Sequence, residues 1–372
     1  MWYAWRMQIR MRIIGFLIWS TALLWLACAD RHSTDEVADN HITMDASLAE
    51  RDGVVDDAEV DAFMPQYPLD DTLRMNHLQA LGTHNSYHLQ PEVDILPWRY
   101  NHLPLDEQLD LQGVRQFELD IYENESGEFE VYHLAFVDAR TTCPNLLNCL
   151  QVLKGWSDVH LGHHPFLVLL EVKRFRGTPA DTVRRLESML ATTWSRERLV
   201  TPSLIQREYS SIAEGLAEEG WPTLGDLRGR MMAVLHAGGE LRQAYLDAPG
   251  GTAERFMFPD AYGNLDASYA AYHSMNNPIT GQASIQEVVQ AGHLVRTRAD
   301  ADGAESDALD YSRANAALSS GAHFISTDFP YRASETNYGF LIPGGTPSRC
   351  NPLTSPANCV SSALENPETL AP

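Results

Sequence analysis

From about Leu73 onward, short apolar runs alternate with amphipathic stretches. Leu78–Leu81, Val114–Tyr122, Glu128–Leu134, Phe166–Val172, Met231–His236, Arg255–Phe258, His293–Thr297 and Phe324–Thr327 read as eight strands. Phe166–Val172 is almost continuously apolar, as a strand covered on both faces must be. Helical patterns separate most of the runs. Leu105–Leu111 stops at Gly113, and Asn145–Leu161 places Leu146, Leu150, Leu153 and Trp156 near one face. Thr178-Pro179-Ala180-Asp181 supplies an N-cap, a first-turn proline and an acid, opening a helix to about Trp194. Asp307–Ser320, with Gly321 at its end, is a further helix. Eight strand–helix units in roughly 270 residues predict an α/β fold of the (β/α)8 TIM-barrel type. The link from Tyr122 to Phe129 is too short for a crossover helix, so one irregular unit is expected there.

In a barrel, chemistry is carried at the carboxyl ends of the strands. The first run leads into Gly82-Thr83-His84-Asn85-Ser86-Tyr87-His88, which presents His84 and Asn85. The second reads Gln116-Phe117-Glu118-Leu119-Asp120, and two-residue periodicity puts Glu118 and Asp120 on one face. The third offers His133, and the fourth Glu171 and Lys173, again same-face neighbours. Each has a plainer alternative. The two acids could be capped by amides or paired with arginines, His133 could be a satisfied core residue, and Glu171 and Lys173 could neutralise each other. Taken together they form a pocket. Asn85, Glu118, Asp120 and Glu171 are one amide and three carboxylates, a hard-oxygen set suited to Ca²⁺. Two histidines flanking such a cation suit phosphate-ester cleavage. Lys173 is one of only two lysines in the chain, so the position is not a default of composition.

Residues 72–345 are the expected catalytic barrel. Residues 1–28 have the pattern of an export signal: Arg6, Arg10 and Arg12 precede the apolar run Ile13–Ala27, and Cys28 follows. Trp25-Leu26-Ala27-Cys28 resembles a lipoprotein cleavage box; a signal anchor and ordinary secretory cleavage are the alternatives. An acidic flexible tether (29–71) and a tail (346–372) complete the expected layout. Four further cysteines allow three pairings, and the short spacings favour Cys143–Cys149 and Cys350–Cys359 in an oxidising, extracytoplasmic compartment. The net charge of −23 excludes nucleic acid as a partner and long-range attraction to anionic lipid. Contact with a membrane would then be transient, or made through an N-terminal lipid. Ile95-Leu96-Pro97-Trp98-Arg99-Tyr100, in the first loop of the mouth, is the candidate apolar contact.

The order His-Asn, Glu-x-Asp, His, Glu on successive strands resembles the calcium-dependent phosphoinositide-specific phospholipase C family, and within it the small secreted bacterial branch. The likeness runs from about residue 76 to 332. It includes Gly82–His88, Phe117–Tyr122, Tyr132–Leu134, Leu170–Lys173, His293–Asp300, Gly321–Pro330 and the Cys143/Cys149 loop. It implies a monomeric enzyme cleaving phosphatidylinositol, or a related inositol lipid, to diacylglycerol and inositol 1,2-cyclic phosphate or inositol phosphate. His84 would stabilise the pentavalent phosphorane and His133 would protonate the leaving oxygen. Asn85, Glu118, Asp120 and Glu171 would hold Ca²⁺, and Glu118 or Glu171 would take the proton of the attacking 2-hydroxyl. Lys173, Arg296 and Arg298 would bind the substrate. Met231–His236 carries none of the lysines that the eukaryotic branch has on its next strand. Two other readings stand beside this one: a glycerophosphodiester phosphodiesterase, whose His-Arg-Gly and Glu-Asn-Thr motifs are missing here, and a non-catalytic inositol-phosphate binder.

Overall fold

The structure is a computed structural model that describes residues 67–331, 337–344 and 347–366. The expected export signal and most of the expected tether lie outside the described residues. Ten strands form one sheet: β1 (Leu78–Thr83), β2 (Gln116–Glu123), β3 (Phe129–Val131), β4 (Phe166–Arg174), β5 (Met231–His236), β6 (Met257–Pro259), β7 (Tyr272–Ser274), β8 (Leu294–Arg298), β9 (Phe324–Thr327) and β10 (Ser348–Cys350). Eight run parallel in the order β6-β5-β4-β2-β1-β9-β8-β7, and a parallel bridge from Asp260 to Tyr272 joins the two ends into a ring. The expected TIM barrel is present.

Two strand assignments change. Residues 128–134 are not a barrel strand. The short link lets β3 only fold back antiparallel on β2, with Ile121 opposite Val131, which is the expected irregular unit. The eighth barrel strand is instead β7, three residues that make no legible apolar run. The helix expected over Asp307–Ser320 is split into Ala304–Ala308 and Ser312–Ser319, with Leu309 between them at φ 51°. The other helices follow their signals. Leu146–Val159 is capped by Asn145, and Pro179–Thr193 by Thr178, whose side chain accepts from Asp181 N. β1 and β2 pair only at Gly82 and Gln116. A Cβ at Gly82 would sit 2.1 Å from Gln116 Oε1 and 3.0 Å from Gln116 Cβ, so a larger residue there would have to displace the Gln116 side chain.

Strand residues alternate between two apolar layers. Phe117, Leu119, Val168, Leu170 and Leu235 pack with Leu150, Leu153 and Leu186 of the surrounding helices. Leu78, Leu167, Leu169, Val234, Phe258, Tyr272, Leu294 and Phe324 form the barrel interior and its floor. Continuing the interior face towards the carboxyl ends, the same two-residue step reaches polar groups: Glu118, Asp120, Glu171, His236, Asp260, Arg296, Arg298 and Asp328. An apolar lower layer thus supports a polar mouth. Tyr67–Asp71, placed by the sequence in the tether, pack on the floor: Tyr67 is buried under Arg228, and Asp70 pairs with the same guanidinium. Both local disulfides, Cys143–Cys149 and Cys350–Cys359, are present and suit an oxidising, extracytoplasmic compartment. Among the described residues, no helix is long and apolar enough to cross a membrane.

Candidate active site

The mouth is built around three acids. Glu118, Asp120 and Glu171 each place a carboxylate oxygen within 4.8 Å of the others. Parallel register sets Asp120 directly beside Glu171. Asp120 is fully buried and neither oxygen accepts a hydrogen bond; its nearest cation, Lys173 Nζ, is 3.3 Å from Oδ2. Burial and then the charge of Glu171 push the Asp120 carboxyl well above its usual range. Burial also works against charge on Glu118, but Arg296 and the neighbouring histidines outweigh it and hold the group at about 2. Lys173 bonds Glu171 at 2.6 Å, and the two acids raise its pKa against the effect of burial. Orphaned carboxylate oxygens in a buried, hard-oxygen cluster are what a divalent cation would satisfy. The residues present therefore fit Ca²⁺.

Two histidines flank the cluster, each anchored by an aspartate. His84 follows β1 with Nδ1 2.8 Å from Asp328 Oδ1. Arg298 donates to the other oxygen of Asp328 at 2.9 Å and lies 3.4 Å from His84 Nε2. Burial and Arg298 lower the pKa of His84, and Asp328 opposes them. Behind Asp328, Asp300 accepts its backbone N–H at 2.9 Å and also the Thr327 hydroxyl. Burial and Asp328 push Asp300 up to about 7. His133 lies beyond β3 on the excursion from β2. Its carbonyl accepts from Tyr122 Oη at 2.6 Å, and its Nδ1 is 2.6 Å from Asp138 Oδ2. Asn85 is buried in the left-handed region at φ 43°, and its amide nitrogen is 3.4 Å from Tyr100 Oη.

The structure turns both Arg296 and Arg298 inward. Arg296 is 1% exposed, pairs with Glu118 and donates to Asn276 Oδ1 at 2.5 Å. The plainer alternatives are therefore partly realised: Glu118 does pair with an arginine, and Glu171 does pair with Lys173. Asp120 is the acid that keeps no hydrogen bond. Sequence reasoning missed Asp328, Asp138 and the pair His236–Asp260, joined at 2.6 Å across β5 and the end of β6. Burial disfavours charge on His236, and Asp260 overcomes it, so the pKa rises. Three of these residues were within reach, since His236, Asp260 and Asp328 continue the inward two-residue step of their strands. Asp138 had no such signal. In the first loop, Trp98 is half-buried with its ring edge-on to His133 at 5.9 Å. Ile95 and Leu96 of the same loop are exposed, and a second exposed apolar group lies past His133: Phe136, at 102% exposure, flanked by exposed Leu134 and Val137.

A TIM barrel with an acidic, cation-fitting mouth and two aspartate-anchored histidines defines the class. A family model described as phosphoinositide phospholipase C, Ca²⁺-dependent, matches residues 73–130 and 126–352. The chain belongs to that family and is a phosphoinositide-specific phospholipase C, which excludes both the glycerophosphodiesterase reading and the non-catalytic one. No curated protein matches it. Among solved structures, the apo calcium-dependent phosphoinositol-specific phospholipase C of a Gram-negative Pseudomonas species is 20% identical. That match covers 75% of this chain and 96% of the other, at a TM-score of 0.53. The Ca²⁺-dependent phosphatidylinositol-specific enzyme of Streptomyces antibioticus is 18% identical over 69% of this chain and 95% of its own, also at 0.53. At such identities these likenesses establish the fold.

Proposed function

We propose that this enzyme cleaves phosphatidylinositol, or a closely related inositol lipid, to diacylglycerol and inositol 1,2-cyclic phosphate, which water can then open. The observation that carries the proposal is the acid trio and the two anchored histidines converging on one barrel mouth. Asn85, Glu118, Asp120 and Glu171 would hold the ion, with the Asn85 amide nitrogen engaged by Tyr100 and its oxygen left to coordinate. Calcium bound there would supply positive charge that favours ionisation of the attacking hydroxyl and offsets charge on the phosphate. Glu118, held far down by Arg296, is a weak base, so Glu171 takes the proton of the inositol 2-hydroxyl. The hydroxyl oxygen attacks phosphorus and the bond to the glycerol oxygen breaks. His84, backed by Asp328 and Arg298, donates to the phosphoryl oxygens as charge builds on them. His133 gives its Nε2 proton to the departing alkoxide. Lys173, Arg296 and Arg298 offset negative charge around the phosphate and ring.

The enzyme acts as a monomer at a lipid surface, anchored there if Cys28 is lipidated. With a net charge of −23, contact has to be apolar, and the exposure of Leu134, Phe136 and Val137 on one turn supports a contact there. Phe136, at φ 70°, projects from its tip. Burying two such side chains would contribute roughly 3–6 kcal/mol.

The test is release of water-soluble inositol phosphate from phosphatidylinositol vesicles, with calcium and with excess EGTA. Chelation should abolish turnover, and undiminished activity in EGTA would sink the calcium mechanism. In the same assay, Leu134→Ser with Phe136→Ser should weaken cleavage of vesicles and spare a soluble inositol phosphodiester. Equal losses on both substrates would remove the membrane role of this turn.

A further inference from the structure

His88 closes the stretch that carries His84 and Asn85, yet the reaction above gives it no task. Its ring is fully buried and stacks on Tyr100 at 4.2 Å. Nε2 lies 2.9 and 3.1 Å from the two oxygens of Asp138, and Nδ1 lies 3.2 Å from the carbonyl of Tyr100. Asp138 is also fully buried and holds His133 Nδ1 at 2.6 Å. One carboxylate therefore ties together two histidines from different loops of the mouth.

We propose that Asp138 is the positioning residue of the acid histidine and that His88 locks Asp138 in place. The inference rests on the reading of His133 as general acid. A carboxylate only accepts, so the Nδ1 of His133 must carry hydrogen in both protonation states of the ring. That leaves Nε2 as the atom that delivers the proton and stays bare afterwards. Asp138 itself needs a second donor, because one contact leaves a buried carboxylate free to turn about its terminal bond. His88 supplies that donor through Nε2, and its own ring is held by the stacked Tyr100 ring. The turn does not need the carboxylate to close, since the backbones of Leu134 and Asp138 exchange hydrogen bonds of 2.8 and 3.0 Å. The side chain is thus free of that structural duty.

The experiment compares two soluble substrates, an inositol phosphodiester with an alkyl leaving group and one with a nitrophenyl group that leaves without a proton. Asp138→Asn should lower kcat on the alkyl substrate by about 10²–10³-fold, with KM little changed. On the nitrophenyl substrate it should lose about tenfold or less. His88→Gln, which keeps a side-chain donor, should shift the same ratio in the same direction but by less than His88→Phe. If Asp138→Asn does not fold, the His88 pair carries the measurement. Equal losses on both substrates, together with a lowered melting temperature, would make the cluster structural and overturn the inference. So would wild-type kinetics in these variants. His133→Ala separates the two levels. Leaving-group dependence in His133→Ala without any in Asp138→Asn defeats only the positioning role, whereas its absence in His133→Ala defeats the general-acid reading beneath it.

Discussion

The two ends of the barrel bury charge in opposite ways. On the floor, at the amino ends of the strands, the buried charges are closed off by partners. Arg115 Nε donates to both oxygens of Glu365, at 3.0 and 3.2 Å, and its Nη1 reaches the carbonyls of Leu109 and Val114. Glu365 also accepts the His164 amide at 2.9 Å. Arg228 bonds Asp70 at 2.7 Å and the Leu364 carbonyl at 2.6 Å. At the mouth, Asp120 is buried as deeply and accepts no hydrogen bond. The floor spends its charges on closing the chain, and the mouth leaves one open for a cation. Depth of burial does not distinguish a structural ion pair from a binding site; the number of hydrogen-bonding valences left over does.

The contrast has measurable consequences, the largest in acid. His163 and His323 are pushed down to about 3, and His164 to about 4, by burial in the lower half of the barrel. A histidine with a depressed folded pKa is protonated first in the unfolded chain. Its contribution is whole above the unfolded value of 6.5 and drains away as pH falls towards the folded value. Each should cost about 1.4 kcal/mol per pH unit across that window. Stability by denaturant unfolding should therefore drop between pH 6.5 and 5, offset in part by Asp300 and Asp120, whose raised carboxyls take up protons in the folded state over the same range. Glu365 is held at about 2 because its partners, led by Arg115, outweigh burial, so its share is lost only below the ordinary value of 4.5. A profile that stays flat down to pH 5 would contradict the buried, neutral histidines.

Next in size is the floor pair itself. Glu365→Ala leaves Arg115 buried without its carboxylate and should destabilise by about 3–5 kcal/mol. Turnover per folded molecule should stay close to wild type, because the mouth is untouched. A loss under 1 kcal/mol, on the order of a surface pair, would show that the floor is not sealed.

The smallest effect has the opposite sign and sharpens the comparison most. Asp120→Asn replaces an acid whose ionisation burial and Glu171 disfavour, so in EGTA the variant should melt higher than wild type at a pH where Asp120 would have to ionise. A gain of about 1 kcal/mol corresponds to roughly 2–4 °C for a domain of this size. Calcium should then raise the melting temperature of the wild type by mass action and that of the variant hardly at all. If Asp120→Asn melts lower in EGTA, or keeps the full calcium response, Asp120 is not the open valence of the site.

Much of the mouth was legible because two-residue alternation is a local property of the chain. It placed Glu118 with Asp120, and Glu171 with Lys173, before any strand order was known. Short cysteine spacings likewise named both disulfides. What the sequence could not settle is where a face points and what meets it there. Arg296 finds Glu118 across 178 residues, and Arg115 finds Glu365 across 250, because ring closure and a returning tail bring them together. The three-residue β7 has too little chain to show a pattern, and it is a strand because β8 beside it supplies the register. Asp138 sits in a tight turn with no periodicity at all. Its meaning arises only when the loops from β1 and β3 place two histidines on its two oxygens. Periodicity is written residue by residue, whereas hydrogen-bond valence is decided between segments and exists only once the barrel has closed.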